Sequence, residues 1–464
     1  MTTLLGDGAR LVDVAGDRTL AGDELVAEVV RARDELAALP QGAVFSRTRV
    51  DLEGVLRYVA AFEAERAVAL LDPLLDGPAL DRFVTTFRPA AVLSAPDTAP
   101  PTGYTASGGD WVRATAEAVP PHSDLAVLLS TSGTTGDPKF VRLSRAALLA
   151  NADAIADTLD ITVDDVAPTS LPLHYSFGLS VLNSHLVRGA TVVIEPSGVF
   201  KQGFWDAVAE HEATSLAGVP YHYERLRRLD FDPARYPSLR TLTQAGGKLR
   251  TELVSHFHDA MSGVDGRLFV MYGQTEAGPR MSTVPPERLA EKLGSAGQPL
   301  RDGAFSIRRD DGEETTHPKI VGEIVYRGPN VMMGYAGTEA ELAAGDDNGG
   351  VLHTGDLGYL DEDGFLFITG RLKRIGKVFG NRVNLDDLEH AVRGAGIEVS
   401  AAVAADDKVV LFAESASPET CKEVSRTLAD LMHLHASGFD VRPIDRVPVQ
   451  ASGKIDYTVL ESQV

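Results

Sequence analysis

The chain has 464 residues, 44% hydrophobic and 24% charged, enough for a sizeable core and for roughly two to four structural units of a globular protein. No apolar run reaches the roughly 18 residues of a membrane span and the start lacks a basic-then-apolar leader, so the expectation is a cytoplasmic protein without a membrane partner. A formal net charge of −22 repels nucleic acid over most of the surface, and the single cysteine, Cys421, excludes an intrachain disulfide and a cysteine-based zinc cluster.

Helix and strand patterns alternate over about the first 330 residues. The helix pattern "GVLRYVAAFEAE" leads to the strand "RAVALLD", and "GPALDRFVTTF" to "PAAVLSA". The run 95–110, rich in Pro, Gly, Ser and Thr, reads as a surface loop. Two strand patterns, "LAVLLS" and "FVRLS", bracket the segment "STSGTTGDPK", and a helix over "RAALLANADAIADTL" follows. Its apolar residues Leu148, Leu149, Ala152, Ile155, Ala156 and Leu159 recur at helical spacing, and Ser144 is placed to cap it. "GATVVIEP", "ATSLAGV", "SLRTLTQAGG" and "RLFVMYGQTE" continue as strands, with helices over "FWDAVAEHE" and "LRTELVSHFHDAM". Continuous apolar strands between helices predict an α/β fold with largely parallel sheets. After about residue 320 the pattern changes to short antiparallel strands, with turns at Asp363-Gly364 and Asp406-Asp407 and helices near 385–395 and 419–436. That order fits a small α+β unit. A boundary is expected near Arg371 to Lys373.

Two segments carry chemistry suited to anions. In "STSGTTGDPK", Gly133 and Gly136 allow close backbone approach, Ser130, Thr131, Ser132, Thr134 and Thr135 supply hydroxyls, and Lys139 supplies a cation. The P-loop pattern fails, because Pro138 stands where its second glycine belongs and a strand follows in place of a helix. A Ser/Thr/Gly surface turn has the same composition. The stretch 370–382 holds Arg371, Lys373, Arg374, Lys377 and Arg382 with no acid, which favours an anion-facing role in so acidic a chain.

Four stretches in order, "STSGTTGDPK" (130–139), "MYGQTEAG" (271–278), "HTGDLGYLDEDGFLFITGRLK" (353–373) and "VPVQASGKIDY" (447–457), resemble the adenylate-forming superfamily of acyl-CoA synthetases, peptide-synthetase adenylation domains and luciferases. The resemblance implies a large N-terminal domain over 1–370 that binds ATP and an acid, a hinge at 371–373 turning on Lys373, and a small mobile C-terminal domain over 374–464. It further implies that Thr131, Ser132, Gly133, Thr134, Thr135, Gly136 and Lys139 hold the β- and γ-phosphates of ATP. Thr275 would help hold phosphate and Glu276 a Mg²⁺ ion. Tyr272 would stack on adenine beside Gly273, with Gly246 and Gly247 close to base and acyl group, and Asp356 and Arg371 would meet ribose or phosphate. Lys454 would bridge the attacking acid and the α-phosphate, as a long flexible ammonium can. Segments 174–180, 218–223 and 244–248 would line the acid pocket.

Some positions depart from the family pattern. Relatives often read "LPLFH" where this chain reads "LPLHYSFGLS", so His174 and Tyr175 are candidates for the acid pocket, with a structural role for His174 equally open. Gly218 is a further candidate, and Lys248 either approaches an anionic acid or is a surface lysine. Phe140 and Gly376 replace a frequent glycine and isoleucine away from the expected chemistry. "HYSFGLSVLNSHL" contains no acid to pair with a substrate ammonium, and the expectation is that no carrier domain follows Tyr457. The function implied is an AMP-forming ligase that activates a small-molecule acid and passes it to coenzyme A or to the phosphopantetheine of a separate carrier protein. Two alternatives stay open: a diazotase that activates nitrite for reaction with an aryl amine, and a non-catalytic nucleotide-binding regulator on the same fold.

Overall fold

The computed structural model describes residues 3–115, 118–130, 138–372, 374–379, 381–394, 397, 399–432, 434–449 and 455–464. The chain divides into two compact units. The first comprises Met1–Ala304 and Tyr326–Leu352, the second Phe305–Val325 and His353–Val464.

Three sheets organise the first unit. The largest has eight strands in the order Gly334–Ala336, Phe140–Ser144, Leu125–Ser130, Val68–Leu71, Val44–Arg47, Ala91–Leu93, Asp110–Arg113 and Tyr104–Ser107. Its four central strands run parallel and its flanking strands antiparallel. In the second sheet Ser215–Gly218, Thr241–Gln244 and Arg267–Tyr272 are parallel, with Ser282–Val284 and Gln298–Pro299 added antiparallel. A third, four-stranded sheet pairs Arg10–Asp13 with Thr191–Ile194 in parallel. Central strands such as Val68–Leu71 are buried throughout, as parallel strands covered on both faces must be.

The helix Arg145–Leu159 begins where its sequence signals, with the Ser144 hydroxyl accepting from the Ala147 amide at 3.0 Å. One expectation fails. The run 95–110 is not all loop, because Tyr104–Ser107 pairs with Asp110–Arg113 across Gly108 and Gly109. Both glycines have positive φ, 59° and 87°, the backbone a two-residue hairpin turn needs.

Phe140, the residue after the loop lysine, is a core anchor. It is fully buried, with ring centroids 4.7 Å from Phe87 and 5.5 Å from Phe45. The strand that follows the phosphate-loop candidate is thereby held at its first residue.

A five-stranded sheet, most of whose residues belong to the second unit, is ordered Glu314–Thr315, Ala304–Arg308, Gly322–Arg327, Val351–Leu360 and Leu366–Arg371. Further along, Ser400–Ala405 and Lys408–Glu414 form a hairpin with Ala405 opposite Lys408, turning at Asp406 and Asp407. The helix Pro418–Met432 then returns the chain to the parallel strand Phe439–Ile444. Leu388, Val392, Leu411, Val424 and Leu428 form its core. A Cβ on Gly376 would press on Leu385 and Val409 at 3.0 and 3.1 Å, so the small residue there is a packing choice.

Candidate functional site

Residues 131–137, including Thr131, Ser132, Gly133, Thr134, Thr135 and Gly136, lie outside the described residues, but both ends of their segment are placed. Ser130 pairs directly with Phe140, so the strands on either side of this segment meet in register at the sheet. Lys139 lies with its Nζ 3.5 Å over the ring of Tyr335. The Tyr335 hydroxyl donates to Glu276 Oε1 at 2.8 Å, and burial together with the Glu276 carboxylate pushes that phenol well above its ordinary pKa. Lys139, Tyr335 and Glu276 therefore form one contiguous cation–ring–carboxylate array. Tyr335 reaches it from the strand Gly334–Ala336, where it pairs with Val141.

The "MYGQTEAG" motif is shaped by close packing. The strand Arg267–Tyr272 ends at Tyr272, which is half-buried, and Thr275–Ala277 forms one tight turn. A Cβ on Gly273 would fall 1.7 Å from the Pro279 carbonyl oxygen, so only glycine fits. The turn is tied down by Asn330, whose Nδ2 donates to the Ala277 carbonyl at 2.6 Å and to that of Arg280 at 3.1 Å. Asn151 Nδ2 donates to the same Arg280 carbonyl at 2.7 Å. The Thr275 hydroxyl lies 3.1 Å from that of Ser176, at the start of the helix Ser176–Leu186.

Gly246 and Gly247 follow the strand Thr241–Gln244. Gln244 Nε2 donates to the Gly247 carbonyl at 2.8 Å and fixes the turn. Gly246 has φ +81°, and a Cβ there would sit 2.3 Å from the Tyr175 hydroxyl. Tyr175 is thus packed against the glycine pair, and burial raises its phenol to about 12, with Arg280 opposing the rise. His174 is mostly buried, its Nε2 3.7 Å from Asp72 Oδ2. Burial lowers its pKa and Asp72 opposes the drop. Gly218 ends the strand Ser215–Gly218 against the Tyr223 ring, and Lys248 is exposed. Gly218, Tyr175 and the Gly246–Gly247 turn gather where the parallel strands of the second sheet end, the edge at which open α/β sheets bind ligands, whereas His174 faces Asp72, just past the strand Val68–Leu71 of the eight-stranded sheet.

In the second unit Asp356 stands opposite Arg371 in the strand pair, with Oδ1 3.0 Å from the arginine Nε. Asp356 is buried, whereas the Arg371 side chain is 60% exposed. Arg374 is turned inward. Its Nε meets Asp386 at 2.6 Å, its Nη2 meets Glu389 at 2.5 Å, and its guanidinium lies 3.9 Å over the Tyr457 ring. The stretch 370–382 is therefore not a uniform anion-facing patch, because acids distant in sequence neutralise Arg371 and Arg374. Lys373 and Lys454 lie outside the described residues. The chain beside Lys454 is pinned by the Val449–Ile455 bridge, by the Asp456 amide on the Pro448 carbonyl at 2.8 Å, and by the Tyr457 hydroxyl donating to Glu389.

Tyr335, Asn330, Asn151 and Arg280 were not legible as site residues, although Arg280 stands in the otherwise apolar and small run after the motif. Among the described residues no helix is long and apolar enough to cross a membrane.

The family model for AMP-binding enzymes matches residues 43–336. The chain belongs to this adenylate-forming family. It is similar to feruloyl-CoA synthase of an Amycolatopsis species, 30% identical over 347 residues, 72% of this chain and 68% of that protein. It is 33% identical to an oxalate–CoA ligase of Arabidopsis thaliana over 266 residues, 56% of this chain and 51% of the relative. The match to 2-succinylbenzoate–CoA ligase of Bacillus pumilus is 36% over 247 residues, covering 53% and 49%. The chain thus spans about half the length of two of these three relatives. Among solved structures, o-succinylbenzoate CoA synthetase of Bacillus subtilis in complex with its acyl-adenylate intermediate superposes on this AMP-binding chain with TM-score 0.77 and 26% identity. That match covers 97% of this chain and 94% of the other.

Proposed function

We propose that the protein is an AMP-forming acid–thiol ligase. The observation that carries this reading is the array of Lys139, Tyr335 and Glu276 at the exit of the phosphate-loop candidate, in a chain of the AMP-binding family whose relatives are named as CoA ligases. Glu276 is suited to a hard cation. One of its oxygens is fixed by Tyr335, and the other accepts no hydrogen bond among the described residues. Glu276 would hold Mg²⁺, which would supply positive charge against that of the phosphates.

In the first half-reaction the acid's carboxylate attacks the α-phosphorus of ATP and pyrophosphate leaves with the bonding electrons. Charge accumulates on oxygens already charged, so positioning and electrostatic stabilisation do most of the work. Lys139 and residues 131–136 would hold the leaving phosphates, with Thr275 beside them. Tyr272 and Gly273 would flank the base. Asp356 offers acceptors to the ribose hydroxyls, and Lys454 would neutralise the approach of carboxylate to α-phosphate. His174, Tyr175, Gly218 and the Gly246–Gly247 turn would line the acid pocket. In the second half-reaction a thiolate, from coenzyme A or a carrier's phosphopantetheine, attacks the acyl carbon and AMP leaves.

The test is acid-dependent exchange of pyrophosphate into ATP across an acid panel, followed by product analysis with coenzyme A and with a phosphopantetheinylated carrier. Acid-dependent exchange with thioester formation is expected. Absence of exchange with every acid, or a diazo product formed only from nitrite and an aryl amine, would overturn the reading.

A further inference from the structure

Among the described residues, Arg280 is a buried cation without an anion. Only 2% of the residue is exposed, and its Nε and Nη2 have no hydrogen-bond partner among the described residues. The guanidinium meets the Met271 sulfur through Nη1 at 3.5 Å and lies 4.5 Å over the Phe177 ring. Among the described residues no carboxylate comes within ion-pair distance. Contacts of this kind are weak substitutes for hydration, and burial draws its pKa down to about 9. A charge so placed is costly unless something completes it.

Beside it lies a small internal cavity of about 20 Å³, with Arg280, Thr243, Ser215, His185, Ser184 and Asp165 in its wall. That exceeds the roughly 10–15 Å³ one water needs, so a small polar group fits. The other ionisable wall groups are committed. Asp165 accepts from the Thr162 amide, the Thr162 and Thr214 hydroxyls and Arg240. His185 has Nδ1 2.8 Å from the Val181 carbonyl, and burial lowers it to about 4, so it is neutral. Among the described residues of the wall, Arg280 is the charged group with donors to spare. A chain of contacts links it to the acid-pocket candidates: Phe177, on which it lies, is in edge contact with Tyr175 at 6.4 Å, and Tyr175 packs on Gly246.

We propose that Arg280 is a specificity-determining residue that pairs with a second anionic group of the acid, so that the substrates are compact dicarboxylic acids. This assignment rests on the acid-ligase reading for the identity of the pocket. The carboxylate at one end of the acid is activated, while the other accepts from Arg280 Nε and Nη2, the two parallel donors that suit a carboxylate.

The experiment compares dicarboxylic acids with monocarboxylic acids of matched length in pyrophosphate exchange, using wild type, Arg280→Met and Arg280→Lys. Wild type should favour the dicarboxylic acids on the order of 100-fold or more in kcat/KM, as sites built to bond a polar group do. Arg280→Met should lose on the order of 30-fold or more for dicarboxylic acids, mainly through the KM of the acid and with the KM of ATP unchanged. Arg280→Lys should retain part of the preference. The dicarboxylic acid alone should raise the melting temperature of wild type and not of Arg280→Met, and Arg280→Met without acid should melt no lower than wild type. Equal use of monocarboxylic acids by wild type, or unaltered acid selectivity in Arg280→Met together with a lowered melting temperature, would make Arg280 a structural residue and overturn the proposal. If no acid supports exchange but dicarboxylic acids still stabilise wild type through Arg280, the ligase reading falls and the anion site stands. Loss of both effects removes both.

Discussion

Replacing Tyr335 with phenylalanine isolates one bond in the Lys139–Tyr335–Glu276 array. The ring that carries Lys139 is kept, and the 2.8 Å hydrogen bond to Glu276 is removed. A hydrogen bond to an ionised group contributes about 1.5–3 kcal/mol. Tyr335 is 39% exposed, so water competes for the carboxylate and the figure falls to about 1 kcal/mol, or roughly fivefold in an equilibrium constant. If Tyr335 orients Glu276 for the metal, the Mg²⁺ concentration that half-saturates pyrophosphate exchange rises roughly fivefold in Tyr335→Phe, while the KM of the acid stays put. Tyr335→Leu removes the ring as well and should also raise the KM of ATP, by the roughly 0.5–1 kcal/mol of an exposed cation–π contact. Lys139→Met made on top of it should cost less than in wild type, because the two share one interaction. An unchanged Mg²⁺ dependence in Tyr335→Phe would refute this assignment of Tyr335, as would a change confined to the acid.

Other expectations follow from packing and burial. Phe140→Ala should lower stability of the first unit by about 3–5 kcal/mol in denaturant unfolding, since its ring is fully buried among Phe45, Phe83 and Phe87; a loss below about 1 kcal/mol would contradict the anchoring role. Gly273→Ala must displace the Pro279 carbonyl and should lower both the melting temperature and exchange activity, and a fully active, equally stable variant would show that the motif backbone is not held this tightly. His185 and His222 are buried neutral with pKa values near 4, lowered from 6.5. The unfolded chain binds these protons first, so each histidine leaves stability intact above about pH 6.5 and subtracts up to about 3 kcal/mol as pH falls from there towards 4. Denaturant midpoints at pH 7 and 4.5 check this, and His185→Gln should flatten the decline; a midpoint that does not move with pH would contradict it.

Local chemistry made part of the fold legible. Ser144 caps its helix through one hydroxyl, and Asp406-Asp407 closes a hairpin between two apolar strands, features encoded within a few residues. The Gly108-Gly109 turn carried an equally local signal, but composition outweighed it and the run read as loop. The candidate site divides differently. Its motifs announce their residue types, since backbone approach needs glycine and phosphate needs hydroxyls and a cation. The residues that orient those motifs arrive by long-range pairing: Tyr335 stands opposite Val141 in a sheet, and Asn330 reaches back to Ala277. Arg280 was missed because its isolation from carboxylates is a property of packing, which no pattern along one chain displays. Arg374 erred the other way, since Asp386 and Glu389 lie beyond the basic stretch that made it look free.

The central claim is that an acid is joined to AMP at this site with Lys454 assisting the transfer. Its most direct test is acid-dependent exchange of labelled pyrophosphate into ATP by wild type and Lys454→Ala, with ATP binding measured on both. The account predicts exchange in wild type, near-complete loss in Lys454→Ala and ATP affinity within a few-fold of wild type. Exchange by Lys454→Ala at the wild-type rate would contradict it.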